Sequence, residues 1–157
     1  MSLSQQTNIG AHIKAVLATT NATISQTSAS AASTQDGQTI DRTTLGRRYY
    51  SAKAVVSAGY VANATARTAA LSLTVDHSSD GSSWESYSTA AAKTFGNSTA
   101  GTTDYSTLEH SVSLVGARRY LRVRLHAPTF SDCSSGQGVF SAHGVMVFGG
   151  ADELPAQ

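Results

Sequence analysis

Apolar and polar side chains alternate with a period of two along much of this chain, and that spacing fixes the fold class. A strand places successive side chains on opposite faces, so alternation marks an element with one buried face. Leu121, Val123 and Leu125 face one way in Tyr120 to Ala127, with Arg122, Arg124 and His126 on the other. Leu71, Leu73 and Val75 alternate with Ser72, Thr74 and Asp76. A third run has Leu108, His110, Val112 and Leu114 against Glu109, Ser111 and Ser113. Tyr49 to Tyr60 is β-rich, and Val139 to Phe148 forms a last strand that Gly144 is expected to bend or bulge.

Turn chemistry separates these runs. Asp80-Gly81 is a strong hairpin signal, because both central residues of a type I′ turn need positive φ. It predicts that Leu71–His77 pairs with Ser83–Ser88, with Trp84 anchoring the strand pair as a structural side chain. Gly116-Ala117 joins two further strands, and Gly96 to Asp104 and Ser131 to Gly138 read as Gly/Ser/Thr-rich loops. Seven or eight short strands spaced this way predict an all-β antiparallel β-sandwich or jelly roll. No tandem repeat points to a propeller or solenoid.

The beginning of the chain reads differently. Ile9 to Leu17 suits either a strand or a short helix, and Thr19 to Thr34 is low-complexity Ser/Thr/Ala. Residues 1–35 are therefore expected to be an N-terminal arm carrying one strand and packing on a neighbour. Residues 36–150 form the sandwich domain and 151–157 a short tail.

Composition narrows the function. Charged residues make up 13% of the 157, against roughly 25% in an average soluble domain, and Ser and Thr supply about a quarter. A net charge of +1 argues against a dedicated nucleic-acid binder, which carries a strongly basic face. No apolar run approaches the ~18 residues of a membrane span, and no signal peptide is visible. One cysteine, Cys133, allows neither an internal disulfide nor a multi-cysteine zinc site. The sequons at Asn21, Asn63 and Asn97 are what chance gives in a chain so rich in Ser and Thr.

Catalytic patterns are weak. Ser78-x-Asp80-Gly81-x-Ser83-Trp84 resembles the Asp-box of sialidase-like propellers, but it is one residue short and occurs once. The five histidines, His12, His77, His110, His126 and His143, lack ligand spacing and lie on different strands. There is no G-x-S-x-G elbow, P-loop or G-x-G-x-x-G, and Cys133 has no basic neighbour to lower its pKa. The expectation is a binding module rather than an enzyme, with no cofactor and no metal. The arginines draw more attention. Arg118, Arg119, Arg122 and Arg124 cluster near one strand, and Arg42, Arg47 and Arg48 lie ahead of another. Such groups suit a solvated outer face, a protein-contact patch, since arginine pairs bidentately with carboxylates, or, as a third option, phosphate binding. Arg118, Arg119, Arg122, Arg124, Arg47 and Arg48 are the candidate contact residues.

The order of the pieces carries a resemblance. An Ala/Thr-rich first strand precedes DGQTID, then YYSAKAVVSAG, LSLTVDHSSDGSSW, RRYLRVRL and a final Val/Phe strand ending in Gly-Gly. From about Gly37 to Gly149 this resembles the capsid decoration (cement) proteins of tailed bacteriophages, which are β-sandwich virion proteins. The sharpest elements are the H-S-x-D-G-x-x-W hairpin and the R-Y-L-R-V-R strand. The resemblance implies a protein made in the host cytoplasm and placed on the capsid exterior of the virion. Its implied partners are the major capsid protein and further copies of itself, most simply in a trimer, with no nucleic acid and no membrane. A carbohydrate- or receptor-binding module of a phage tail is the alternative.

Overall fold

The structure, a computed structural model, describes residues 9–26, 33–63, 67–97, 99–131 and 138–151. Cys133, most of the Ser131 to Gly138 loop and residues 152–157 of the expected tail lie outside the described residues. Ten strands follow a short 3-10 turn at Ile9–His12: β1 (Lys14–Ser25), β2 (Ser33–Asp36), β3 (Ile40–Asp41), β4 (Tyr49–Ala62) and β5 (Arg67–Ser78), then β6 (Glu85–Thr89), β7 (Lys93–Asn97), β8 (Thr103–Ser113), β9 (Tyr120–Ser131) and β10 (Gly138–Ala151). A second 3-10 turn, Arg42–Thr44, separates β3 from β4.

All pairings are antiparallel and fall into two sheets. Sheet A has the order β1-β10-β4-β8, and sheet B the order β2-β9-β5-β6. β3 continues β2 along β9, and β7 joins β6 on β5. With each of those pairs taken as one interrupted strand, both sheets have four strands and the chain crosses repeatedly between them. That arrangement is a jelly roll, one of the outcomes the strand pattern predicts.

The core is what the alternation demands. Leu71, Leu73 and Val75 of β5 and Leu121, Val123 and Leu125 of β9 face Ala54, Val56 and Ala58 of β4 and Ala142, Met146 and Phe148 of β10. Tyr60, Phe95, Phe130 and Phe140 pack together at one end, with Tyr60 and Phe140 centroids 5.0 Å apart. Tyr49 and Phe148 close the other end.

Two local expectations need correction. The first strand is not an appendage: β1 pairs with β10 from Lys14↔Phe148 to Ser25↔Val139, and Ala18, Ala22 and Ile24 are core residues. Its alternation is hidden because register shifts between Leu17 and Ala22 insert extra residues, with Asn21 at positive φ. The shifts let the Ala18 carbonyl leave the ladder and accept from Gln38 N–H at 2.7 Å. Gly37, beside it, sits so close that a Cβ would fall on the carbonyl oxygens of Ala18 and Val123. Gly144, in turn, stays in register with Val56 on β4. The irregularity lies opposite it in β1, and the missing Cβ leaves room for Val56 and Thr19.

Removing residues 1–25 should therefore unfold the protein rather than trim it. The deletion empties core positions and bares the long edge of β10, against a net stability of only about 5–15 kcal/mol. Thermal denaturation followed by circular dichroism should show no cooperative transition. A sharp transition near that of the full chain would contradict this placement of β1.

Candidate protein-contact surface

The arginines predicted as a contact patch divide into three settings. Arg122 and Arg124 project from β9 onto the outer face of sheet B, beside β5. β5 is buried on both faces there: Ser72, Thr74, Asp76 and Ser78 are covered although they point away from the core. Asp76, only 1% exposed, explains the arginines. Arg122 Nε donates to its Oδ2 at 3.1 Å, and Arg124 Nη2 lies 3.1 Å from Oδ1. The second contact is an ion pair without hydrogen-bond alignment, which leaves Oδ1 otherwise unpartnered. Arg122 also reaches Asp36 of β2 at 2.8 Å, and the Trp84 ring covers its guanidinium at 4.4 Å. Burial pushes the Asp76 carboxyl above its ordinary range, against the pull of both arginines.

Trp84 thus anchors the hairpin from outside. It is not among the core residues, and it works by stacking on a cation held between two carboxylates. The turn before it also differs from the expected type I′. Gly81 has φ near +77°, but Asp80 does not have positive φ. Ser78 Oγ instead accepts from the N–H groups of Asp80 and Gly81 and donates to Asp80 Oδ1, which accepts from Ser82 and Ser83 N–H at 2.8 Å. The expected strands do pair, with His77 opposite Glu85, across this longer loop.

Arg118 and Arg119 lie on the β8–β9 connection. Arg118 pairs with Glu85 at 2.8 Å. Arg119 grips Asp41 through Nε and Nη2, at 2.6 Å for the shorter bond, while Asp41 caps the 3-10 turn by accepting from Thr43 N–H. Arg42, which sequence reasoning did not single out as a site residue, clamps the same connection. Its guanidinium donates to the carbonyls of Tyr49, Leu114, Ala117 and Arg118.

Arg47 and Arg48 form the third setting. With Arg42 and Arg119 they line a cavity of about 440 Å³ floored by Leu45, Tyr49 and Leu114, with Val115 exposed at its lip. Arg48 lies over the Tyr50 ring at 5.2 Å.

The face that sequence reasoning passed over is the outside of sheet A. Leu17 on β1, Val145 on β10 and Val55 on β4 are register partners across three strands, so they form one apolar row. Leu17 is 51% and Val145 36% exposed. Tyr105 of β8, 76% exposed, lies over Gly59 on the same face. The remaining side chains are mostly hydroxyls, with one Lys53–Glu109 ion pair at 2.5 Å. A signal was present, since Leu17 and Val145 occupy the solvent parity of their strands. The shifted register of β1 concealed that they are neighbours.

The histidines are dispersed. His77 stacks on Tyr87, His110 contacts Ser88 Oγ at 2.7 Å, His126 contacts Thr34 Oγ1 at 3.2 Å, and His143 accepts from Asn21 N–H. Among the described residues no three His, Cys, Asp or Glu side chains converge as metal ligands. His110–Ser88 and the Tyr87 hydroxyl on the Ser113 carbonyl instead join the edge of sheet B to sheet A.

An eight-stranded jelly roll with hydroxyl-rich outer faces is the class that these features define. No family model and no curated protein matches the sequence. Among solved structures, 91% of this chain is similar to 34% of a chain of the infectious bursal disease virus VP2 subviral particle, with TM-score 0.54 and 12% identity. The Gx strain of that virus gives 90% and 33%, TM-score 0.54 and 12% identity; the Gt strain gives 87% and 32%, 0.52 and 13%. The chain spans about a third of the length of these neighbours, and the likeness is one of fold.

Two outcomes follow from the ion pairs. Asp76→Ala leaves Arg122 and Arg124 without their shared carboxylate and should cost about 3 kcal/mol, the lower end for breaking a buried pair because Arg124 can turn to water. An unfolding midpoint unchanged in urea would show that the pair holds nothing together.

Acid should act through other carboxylates. Arg119 holds Asp41, the Ser82 and Ser83 N–H groups hold Asp80, and Arg118 holds Glu85, all below their ordinary values of 3.8, 3.8 and 4.5. The unfolded chain takes up these protons first, so their stabilisation is complete above about pH 5, begins to fall near pH 4 and is fully lost only below the lowered folded-state values. The raised Asp76 has the opposite sign and offsets part of the loss. The urea midpoint should drop between pH 7 and pH 3, and less so in Asp41→Asn/Asp80→Asn. An equal drop in both proteins would refute the assignment.

Proposed function

We propose that this chain is a structural virion protein that binds the outside of a tailed-phage capsid and bridges neighbouring major capsid subunits. The observation that carries this reading is the jelly roll, shared over 91% of the chain with part of a protein found in a virus particle, with one sheet left open outward. The resemblance to decoration proteins points the same way. Its sharpest motifs, the Trp84 hairpin and the R-Y-L-R-V-R strand, build the polar lattice on sheet B.

The attachment face is then the outside of sheet A. Arg118, Arg119, Arg122 and Arg124 spend their charge on Glu85, Asp41, Asp76 and Asp36 within the chain. The Leu17–Val145–Val55 row offers apolar area without a large cost of stripping water from charges. Arg48, lying over the Tyr50 ring, adds positive charge at the end where β4 begins. A protein present in many copies gains avidity from repeated modest contacts, and closed symmetry, most simply a trimer, supplies them.

A second reading, a carbohydrate- or receptor-binding module of a phage tail, is favoured by one feature. Thr34, Ser72, Thr74, Ser86 and Thr89 line a hollow on sheet B with Arg124 and His126. That set suits a polyhydroxylated ligand.

Sedimentation with shells of the parent phage tests the first reading. The protein should co-sediment in many copies per shell. Leu17→Thr/Val145→Thr should weaken binding at least tenfold while leaving cooperative unfolding intact and changing stability by less than about 1 kcal/mol, because threonine keeps the strand-forming β-branch and adds no charge. A double variant that binds like the parent would overturn the assignment of this face. A protein that ignores shells but binds glycans, and loses them on Thr74→Val/Thr89→Val, belongs to the second reading.

A further inference from the structure

The hollow on the outer face of sheet B is built from hydrogen-bonding groups. Its volume is about 310 Å³, at the lower end for small-molecule sites, and no apolar side chain is among its described lining residues. Four strands supply it in register. Thr34 of β2 and Ser72 of β5 flank His126 of β9, and Thr74 of β5 lies between Arg124 of β9 and Thr89 of β6. The Ser86, Thr89 and Thr74 hydroxyls run in a chain with spacings of 3.5 and 3.1 Å. Each can turn to donate or to accept.

Arg124 is the unsettled member of this set. Its contact with Asp76 Oδ1 is unaligned, and it donates no hydrogen bond among the described residues. Asp76 Oδ1 is buried and accepts none. Ser86, on the hollow's wall, is the register partner of Asp76. Native structures pair nearly all buried polar atoms, so an unspent donor beside an unspent acceptor at the edge of a hollow marks a place for a ligand group. A hydroxyl fits both, because it accepts from a guanidinium and donates to a carboxylate. Charge narrows the ligand further. Arg122 and Arg124 are matched by Asp76 and Asp36, which leaves no net positive charge for an anion. An acidic ligand would also meet Asp36, half exposed and opposite Arg124 on β9.

We propose that this hollow binds one ring of a neutral saccharide, with Arg124 as the main donor, Asp76 Oδ1 as an acceptor and the Thr74–Thr89–Ser86 hydroxyls holding the ring. The site rests on the carbohydrate reading for its ligand class and adds the charge selection and the recognition pair. It is compatible with attachment through sheet A, because it opens on the opposite side of the sandwich from the Leu17–Val145 row. One copy can then hold a shell with one sheet and a saccharide with the other. Many copies on one particle turn a weak site into firm attachment to a glycan-bearing surface.

Titration of the full chain with the methyl glycosides of glucose, galactose and mannose, and with glucuronate, tests it. The threonine methyls of Thr74 and Thr89, followed by NMR, should shift saturably with at least one of the three neutral glycosides. Glucuronate should bind about tenfold or more weakly than that glycoside. Ser86→Ala/Thr89→Val, at two exposed positions, should leave the melting temperature nearly unchanged and weaken the glycoside by about tenfold or more, as removal of hydrogen-bonding partners from a polar site does. Arg124→Gln should abolish its binding. No saturable shift with any neutral glycoside, or a preference for glucuronate, would overturn the site. A glycoside that binds the parent and both variants alike lies on another surface: the carbohydrate reading would then survive and this hollow would not.

Discussion

A buried carboxylate organises sheet B. Asp76 lies in a strand covered on both faces, so water cannot solvate its charge and neighbouring cations must match it. Arg122 and Arg124 meet that need only when β9 pairs with β5 in one register, Asp76 opposite Arg122 and Thr74 opposite Arg124. A slip by one residue would turn both arginines into the core and bring Leu121, Val123 and Leu125 outside. Arg122 then gathers Asp36 from β2 and Trp84 from the hairpin loop, so β2, β5 with its hairpin loop, and β9 meet at one side chain. The polar lattice on one face sets the register that fills the core on the other.

Sheet A has no comparable outer lattice. Its register follows from the core side chains of β4 and β10 and from the close approach at Gly37, which ties β1 to sheet B through the carbonyls of Ala18 and Val123. Freed from a structural task, its outer face carries hydroxyls, one ion pair and an apolar row. The two sheets thus differ on their outer faces: sheet B carries the polar lattice and sheet A the apolar row.

Much of this fold was legible in the sequence because alternation reports burial directly. β5, β8, β9 and β10 stand where the pattern puts them, and the inner faces of β5 and β9 are the predicted ones. A strand in the first stretch was expected, but its place in the core was not legible, since bulges and small residues such as Ala18 and Ala22 erase a period-two signal. The role of Arg122 and Arg124 was half legible. Their face was evident, but alternation assigns Asp76 to solvent, and only the covering of β5 by neighbouring strands reveals that they meet a buried acid. The turn at Asp80-Gly81 was located but misdescribed, because Ser78 and Asp80 side chains take over backbone hydrogen bonds that a two-residue turn would make itself. The apolar row could not be seen at all without the β1 register.

Orientation on the particle is the central claim, and a reconstruction of shells bearing the protein at side-chain resolution tests it most directly. The account predicts Leu17, Val145 and Val55 within van der Waals distance of the shell, repeated at every bound copy, with Trp84 and Arg122 facing away. Density that places sheet B against the shell and leaves the Leu17–Val145 row in solvent would contradict it.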